Sequence, residues 1–308
     1  MNAVVANRED FFTPNCCPIA LRTIQGDKAV QHAGDLTDIR HTHDFAELII
    51  ITHGGGEHWI NGTVYNVSEG DVFLIQGKSE HYFTKRRSLS MYNIMFDESY
   101  VREHLKSLYT LSGFNAFFLF EPTCRRTHHF QSHLHLAPES MYLLSPMLQR
   151  MYDEHKKTEA GFDLMLLSAL LEILVLISRE YAHCSNPKAK SLCRLGDLIA
   201  KMEKEYMQKW TLQRISRIAA MAPSTLLPLF KDVTGHSPID YLLHVRLAHA
   251  AEMLLKTKNS IYSIAEANGF ESSSYFARQF RNVFNCSPRD YRTHISPASD
   301  PFIPKTVK

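Results

Sequence analysis

The sequence predicts an α+β chain in two parts: an antiparallel β-barrel with two following helices, then an all-helical domain. Three observations carry this reading. Short apolar runs separated by turn residues fill the stretch from about Leu48 to Phe96, which is the rhythm of antiparallel strands. After Pro138 the spacing becomes helical, with Met141, Leu144, Leu148 and Met151 three or four residues apart. The charge also changes sign. Residues 1–187 hold 16 Lys and Arg against 22 Asp and Glu, whereas residues 188–292 hold 16 against 9. An acidic half joined to a basic half suits a sensor tethered to a nucleic-acid binder. Two ordinary domains can differ as much by chance, so charge alone does not choose.

Taken in order, Leu48-Ile49-Ile50-Ile51 reads as a strand that stops at Gly54-Gly55-Gly56. Trp59-Ile60 and Val64-Tyr65 flank Asn61-Gly62, a pair that tolerates positive φ and marks a two-residue hairpin. Val72 to Ile75, Tyr82-Phe83 and Met91 to Phe96 continue the series, and Lys85-Arg86-Arg87 reads as a solvated basic loop. Leu164 to Tyr181 is a helix too apolar for one wet face, so it belongs in a core or between subunits. Cys184 to Pro187, with Lys188 and Lys190 after it, reads as a linker. The boundaries follow: 1–137 for the barrel and an N-terminal arm, 138–183 for a helical segment that pairs protomers, 184–191 for the linker, 192–294 for the helical domain, and 295–308 for a Pro-rich tail.

The six cysteines, Cys16, Cys17, Cys124, Cys184, Cys193 and Cys286, form no CxxC pair or ladder, which fits free thiols in a reducing compartment. The N-terminus turns charged at Arg8, Glu9 and Asp10 without an apolar signal core. The longest apolar run, Leu164 to Ile177, contains Glu172 and falls short of the roughly 20 residues of a bilayer span. A cytoplasmic chain with no membrane partner is expected.

The basic half contains an internal repeat. Phe230 to Tyr241 (FKDVTGHSPIDY) reappears as Phe280 to Tyr291 (FRNVFNCSPRDY) at an offset of 50, and Leu212, Ile215, Ser216 and Ala220 pair with Ile261, Ile264, Ala265 and Gly269 at an offset of 49. Each copy has a short helix with apolar residues three apart, then a small residue where that helix is expected to approach its partner closely. A second helix follows, anchored by Leu226 and Phe230, or by Phe276 and Phe280. Each second helix ends on Gly235 or Asn285, residues suited to a left-handed cap. A Ser-Pro pair then starts the next helix. This is a helix-turn-helix, whose second helix can enter the major groove.

The stretch IYSIAEANGFESSSYFARQFRNVFNCSPRDYR, with Arg246-Leu247, Ala250 and Met253-Leu254 upstream, resembles the AraC/XylS regulators, whose DNA-binding domain holds two such units joined by a long helix. The resemblance implies base readers at Ser273, Ser274 and Arg278 and phosphate contacts at Arg281 and Arg289. In the first unit it implies Ser224, Thr225, Leu227 and the position of Pro228, with Lys231 matching a basic residue of the family. Arg278 can donate two bonds to a guanine edge. Pro228 departs from the family's polar or basic residue, and a proline there is expected to kink the helix and leave the first reader weak.

In the acidic half, His41-Thr42-His43 precedes Glu47 at H-x-H-x3-E spacing, and His81 closes a strand-like run. Strand alternation puts His41 and His43 on one face, and three imidazoles with a carboxylate can complete a divalent metal site. Glu47 with Gly54 resembles the first cupin motif; the second is poorer, with Gln76, Lys78 and Lys85 at departing positions. Residues 40–100 are similar to the sensors of rhamnose-operon activators. Ligand contacts are expected at His41, His43, Glu47, Trp59 and His81, with Tyr65 and Tyr82 as further stacking residues. No chemistry is assigned to His128, His129, His133 and His135. The resemblance implies a regulator controlled by a sugar-like effector, acting as a homodimer on double-stranded DNA, with RNA polymerase as a further partner and no cofactor required. Two alternatives stay open: a metal-dependent cupin enzyme fused to a DNA-binding module, and a regulator with an empty barrel.

Overall fold

The computed structural model describes residues 3–12, 16–26, 35–128 and 133–294. The tail at 295–308 and His129 lie outside the described residues. The chain divides into two compact units between Cys193 and Arg194.

The first unit is organised by two long strands, β4 (Ala46–Ile60) and β7 (His81–Phe96), which pair along most of their length. The other strands are β1 (Val4–Val5), β2 (Ile19–Gln25), β3 (His41–Thr42), β5 (Thr63–Ser68), β6 (Asp71–Ile75) and β8 (Leu134–His135). The first part of β4 takes β6 as its second partner, and the last part takes β5 through a hairpin with Asn61 and Gly62 at φ 46° and 87°. β7 likewise pairs with β2 near its end and with β3 at His81. β1 adds to β3, and β8 to β6.

Among the described residues the pairing order runs from β1 to β8 without returning, so the expected barrel-like, sheet-rich unit takes the form of an open sheet. The strands that end this order, β1 and β8, are two residues long, and β2 and β5 form further edges on β7 and β4. The expected stop at Gly54-Gly55-Gly56 is instead a set of register shifts inside one strand. Gly54 has φ 72°, and a Cβ there would lie 2.2 Å from the Ser88 carbonyl oxygen. The glycines therefore permit a bulge pressed against β7, which keeps pairing beyond it. Lys85-Arg86-Arg87 lies within β7 and not in a loop. Arg86 pairs with Asp38 at 2.6 Å and Lys85 with Glu57 at 2.8 Å.

Residues 98–128, expected as barrel, are helical: α1 (Glu98–His104), α2 (Ser112–Phe114), a π-helical stretch Asn115–Phe120, and α3 (Glu121–His128). Five of the six π-helical residues are buried, so this segment has no amphipathic period to read. α4 (Pro138–Lys157) and α5 (Phe162–His183) follow as expected, with Met141, Leu144, Leu148 and Met151 all buried. α6 (Pro187–Lys204) begins inside the expected linker. Asn186 accepts the Lys188 N–H on its side chain at 2.9 Å, and Pro187 stands at the first helical position, so Asn-Pro is a helix start here.

The second unit contains α7 (Leu212–Ala219), α8 (Pro223–Thr234), α9 (Pro238–Lys256), α10 (Ile261–Ala267), α11 (Ser273–Phe284) and α12 (Pro288–His294). Thr211, Ser237, Ser260 and Ser272 cap α7, α9, α10 and α11 through their hydroxyls. Gly235 and Asn285 close α8 and α11 with φ 76° and 57°. The small residues after the first helices serve otherwise than expected. Ala220 is a left-handed cap at φ 49°, while a Cβ on Gly269 would lie 2.7 Å from the Met207 carbonyl oxygen. α9 packs on α7 and α8 and also on α10 and α12, joining the two helix pairs through one element.

Candidate functional site

β3, β4 and β7 bring His41, His43, Glu47 and His81 together. All four are at most 7 % exposed, and one ligating atom from each lies within 4.8 Å of all the others. The His43 Nε2 is 3.1 Å from Glu47 Oε2 and 3.2 Å from His81 Nε2, which is itself 3.2 Å from the same carboxylate oxygen. The outer nitrogens are also engaged. His41 Nδ1 donates to the Ile39 carbonyl and His43 Nδ1 to the Phe45 carbonyl, each at 2.8 Å.

This fixes the tautomers. A carbonyl oxygen only accepts, so His41 and His43 carry hydrogen on Nδ1 and present Nε2 lone pairs inward. Burial raises the Glu47 carboxyl, but the His43 and His81 contacts outweigh it and hold it well below the carboxylate range. Burial, then the nearby imidazole of His81, pushes His41 down to about 4. Burial also lowers His81. With its Nδ1 hydrogen given to the Phe45 carbonyl, the neutral His43 ring brings no hydrogen to Glu47 at 3.1 Å, so the hold on that carboxylate needs positive charge at the cluster, which a cation among the donors would supply. The donor set therefore fits a divalent metal on its own chemistry.

A cavity opens beside the cluster. Arg22 and Asn93, directly opposite across β2 and β7, line it together with Thr37 and with Ala6 and Phe11 of the N-terminal segment. The Asn93 Oδ1 is buried without a partner.

Trp59 is not brought to this cavity. Hairpin register sets Trp59 opposite the exposed Val64 and His58 opposite the buried Tyr65, so Trp59 faces away from the histidines. It packs against Tyr82 and Arg40 instead. Tyr65 is inside but packs on Phe73 and His133. His133 and His135 both contact Asp71, at 3.1 and 2.7 Å. Sequence reasoning missed His58, Arg22 and Asn93. The alternation of Val64, Tyr65, Asn66 and Val67, read through the Asn-Gly turn, carries the phase that turns His58 inward.

In the second unit, Leu226, Phe230, Phe276 and Phe280 are fully buried, as expected of core. Ser224, Thr225, Lys231, Ser274, Arg278, Arg281 and Arg289 are exposed, and Leu227 and Ser273 are half-buried. The Arg278 guanidinium lies over the Tyr275 ring at 5.5 Å. α8 continues unbroken through the exposed Pro228; the proline removes the donor that would reach Ser224 without ending the helix.

An α+β unit with a cavity beside a buried His/Glu cluster, followed by two helix-turn-helix units, defines the class: a DNA-binding regulator with a ligand-binding domain. Residues 29–174 match the AraC-like ligand binding domain and residues 215–294 a helix-turn-helix domain. The HTH-type transcriptional activator RhaR of Mannheimia succiniciproducens is 26% identical over 255 residues, covering 83% of this chain and 87% of the relative. The activator RhaS of an Enterobacter species is 25% identical, covering 94% and 96%. Among solved structures, an AraC-type regulator of Chromobacterium violaceum is 31% identical over 36% of this chain and 99% of its own, with a TM-score of 0.34. The chain belongs to the AraC/XylS family of transcriptional regulators, and it is a regulator, not an enzyme. No helix among the described residues is long and apolar enough to cross a membrane.

Proposed function

We propose that a small molecule bound in the cavity beside His41, His43, Glu47 and His81 controls the binding of α8 and α11 to double-stranded DNA. The observation that carries this is the convergence of polar groups on one cavity: a buried carboxylate, three buried imidazoles, the half-buried Arg22 and the unpartnered Asn93 oxygen. Such a set matches the many hydroxyls of a sugar, and likeness to the rhamnose-operon activators makes rhamnose the first candidate. On DNA, Ser273, Ser274 and Arg278 read bases, Arg281, Arg289 and Lys231 meet phosphates, and Ser224, Thr225 and Leu227 form the weaker reader. The protein works in the cytoplasm as a homodimer, with RNA polymerase as a further partner. Tyr142 and Leu143 of α4 and Leu164 and Met165 of α5, all exposed apolar side chains, support pairing through the segment 138–183.

The four-residue cluster would hold a divalent cation. Such an ion would supply positive charge to Glu47 and a Lewis-acidic anchor for effector oxygens. Metal analysis of protein purified without a histidine tag checks this.

Replacing His43 and Glu47 together by glutamine tests the effector reading. The double variant is expected to bind operator DNA as the parent does without effector, and to lose the change that added rhamnose causes. An unchanged response in a folded variant would remove both residues from the effector site.

A further inference from the structure

We propose that His58 is the positioning residue that sets the tautomer of His81 and so prepares the cluster for a cation; this rests on reading the cluster as a cation site. His58 is fully buried on β4, its ring stacked 4.0 Å from Phe83 and edge-on to Phe73 at 5.0 Å. Its Nε2 is 3.3 Å from His81 Nδ1, the outer nitrogen of the one inner imidazole that has no carbonyl partner there. Each inner imidazole thus has an outer contact, but the contacts differ in kind. His41 and His43 are locked by carbonyls, which can only accept. His81 is held by a second imidazole, which can donate or accept.

Two arrangements satisfy the pair. In the first, His58 Nε2–H donates to His81 Nδ1, and His81 Nε2–H donates to Glu47 Oε2. In the second, His81 Nδ1–H donates to His58 Nε2, and the inner His81 nitrogen presents a lone pair. Passing from one to the other moves the His81 hydrogen from Nε2 to Nδ1 and the His58 hydrogen from Nε2 to Nδ1. Both rings are neutral in either arrangement: one hydrogen passes from His58 Nε2 to His81 Nδ1 along their contact, His81 Nε2 gives one up on the cluster side, and His58 Nδ1 takes one up from water, so the net count is unchanged. Only the second arrangement offers three imidazole lone pairs to a cation. The His58 Nδ1 has no hydrogen-bond partner, so no protein acceptor or donor on its far side favours one tautomer. The pair is thus able to switch where the other two imidazoles are fixed.

The test uses the full-length chain, untagged and metal-free, with Zn2+ as the probe. Zn2+ affinity is measured by competition with a chelator, and histidine tautomers are read from 15N chemical shifts. Zn2+ is expected to move the hydrogen of both His58 and His81 from Nε2 to Nδ1. His58→Phe, which keeps the stack on Phe83, should weaken Zn2+ binding roughly 10–100-fold. His58→Gln, whose amide oxygen can accept from His81 Nδ1, should restore most of the loss. Equal affinity in all three proteins, or a His58 tautomer that does not change on loading, would overturn the inference while leaving the cation site standing. A parent that takes up no Zn2+ would overturn the cation reading and this inference with it.

Discussion

Arg125→Met is expected to destabilise the sensor unit by about 3–5 kcal/mol, the usual cost of stranding one member of a buried ion pair. Glu121 is fully buried in α3, and its carboxylate meets Arg125 one turn on at 2.5 Å. Arg125 also donates to the Leu74 carbonyl of β6 at 3.3 Å. Burial raises the Glu121 carboxyl, and the guanidinium only partly opposes this. Removing Arg125 takes away the largest opposition to desolvation and leaves only the weaker help of Tyr181 and His133. The double variant Glu121→Met/Arg125→Met should recover most of the loss, because an apolar pair of similar volume carries no stranded charge. Denaturant unfolding of the three proteins, followed by a sensor-unit signal, checks this. A single variant as stable as the double one would show that the pair contributes little.

Arg278→Ala is expected to relax base preference at one or two positions of each site, with about 1–3 kcal/mol of discrimination lost. Arg278 is exposed on α11, between the buried Phe276 and Phe280, and its fork suits a guanine edge. At the equivalent place on α8, Pro228 has no donor to offer. Leu227→Ala should therefore alter affinity less and preference hardly at all. Binding to an operator library at fixed salt, for parent and both variants, separates the two helices. A larger change in preference from Leu227→Ala would make α8 the principal reader.

The helical half was nearly complete in the sequence. Its caps at Gly235, Asn285, Ser237 and Ser287 are local devices, and each helix keeps an amphipathic face. The sensor was legible where geometry is local, as in the Asn61-Gly62 turn and the His41, His43, Glu47 spacing. It was misread where tertiary contact decides. Gly54 permits a bulge because Ser88 lies against it, 34 residues away; nothing in its neighbours says so. Asn115 to Phe120 is apolar on every side and shows no period. Trp59 drew notice by residue type, whereas the register of its hairpin gave the inward place to His58.

The most direct measurement takes a fragment of residues 187–308, starting where α6 begins, and titrates it with random-sequence duplex DNA at increasing salt. The basic half carries both helix-turn-helix units and the excess of Lys and Arg, so the folded fragment is expected to bind at low salt. If it contacts about six or more phosphates, affinity should fall by roughly a thousandfold or more between about 50 and 200 mM salt, as counterions are released from the duplex. A folded fragment with no affinity for DNA at low salt would contradict the assignment of DNA binding to this half of the chain.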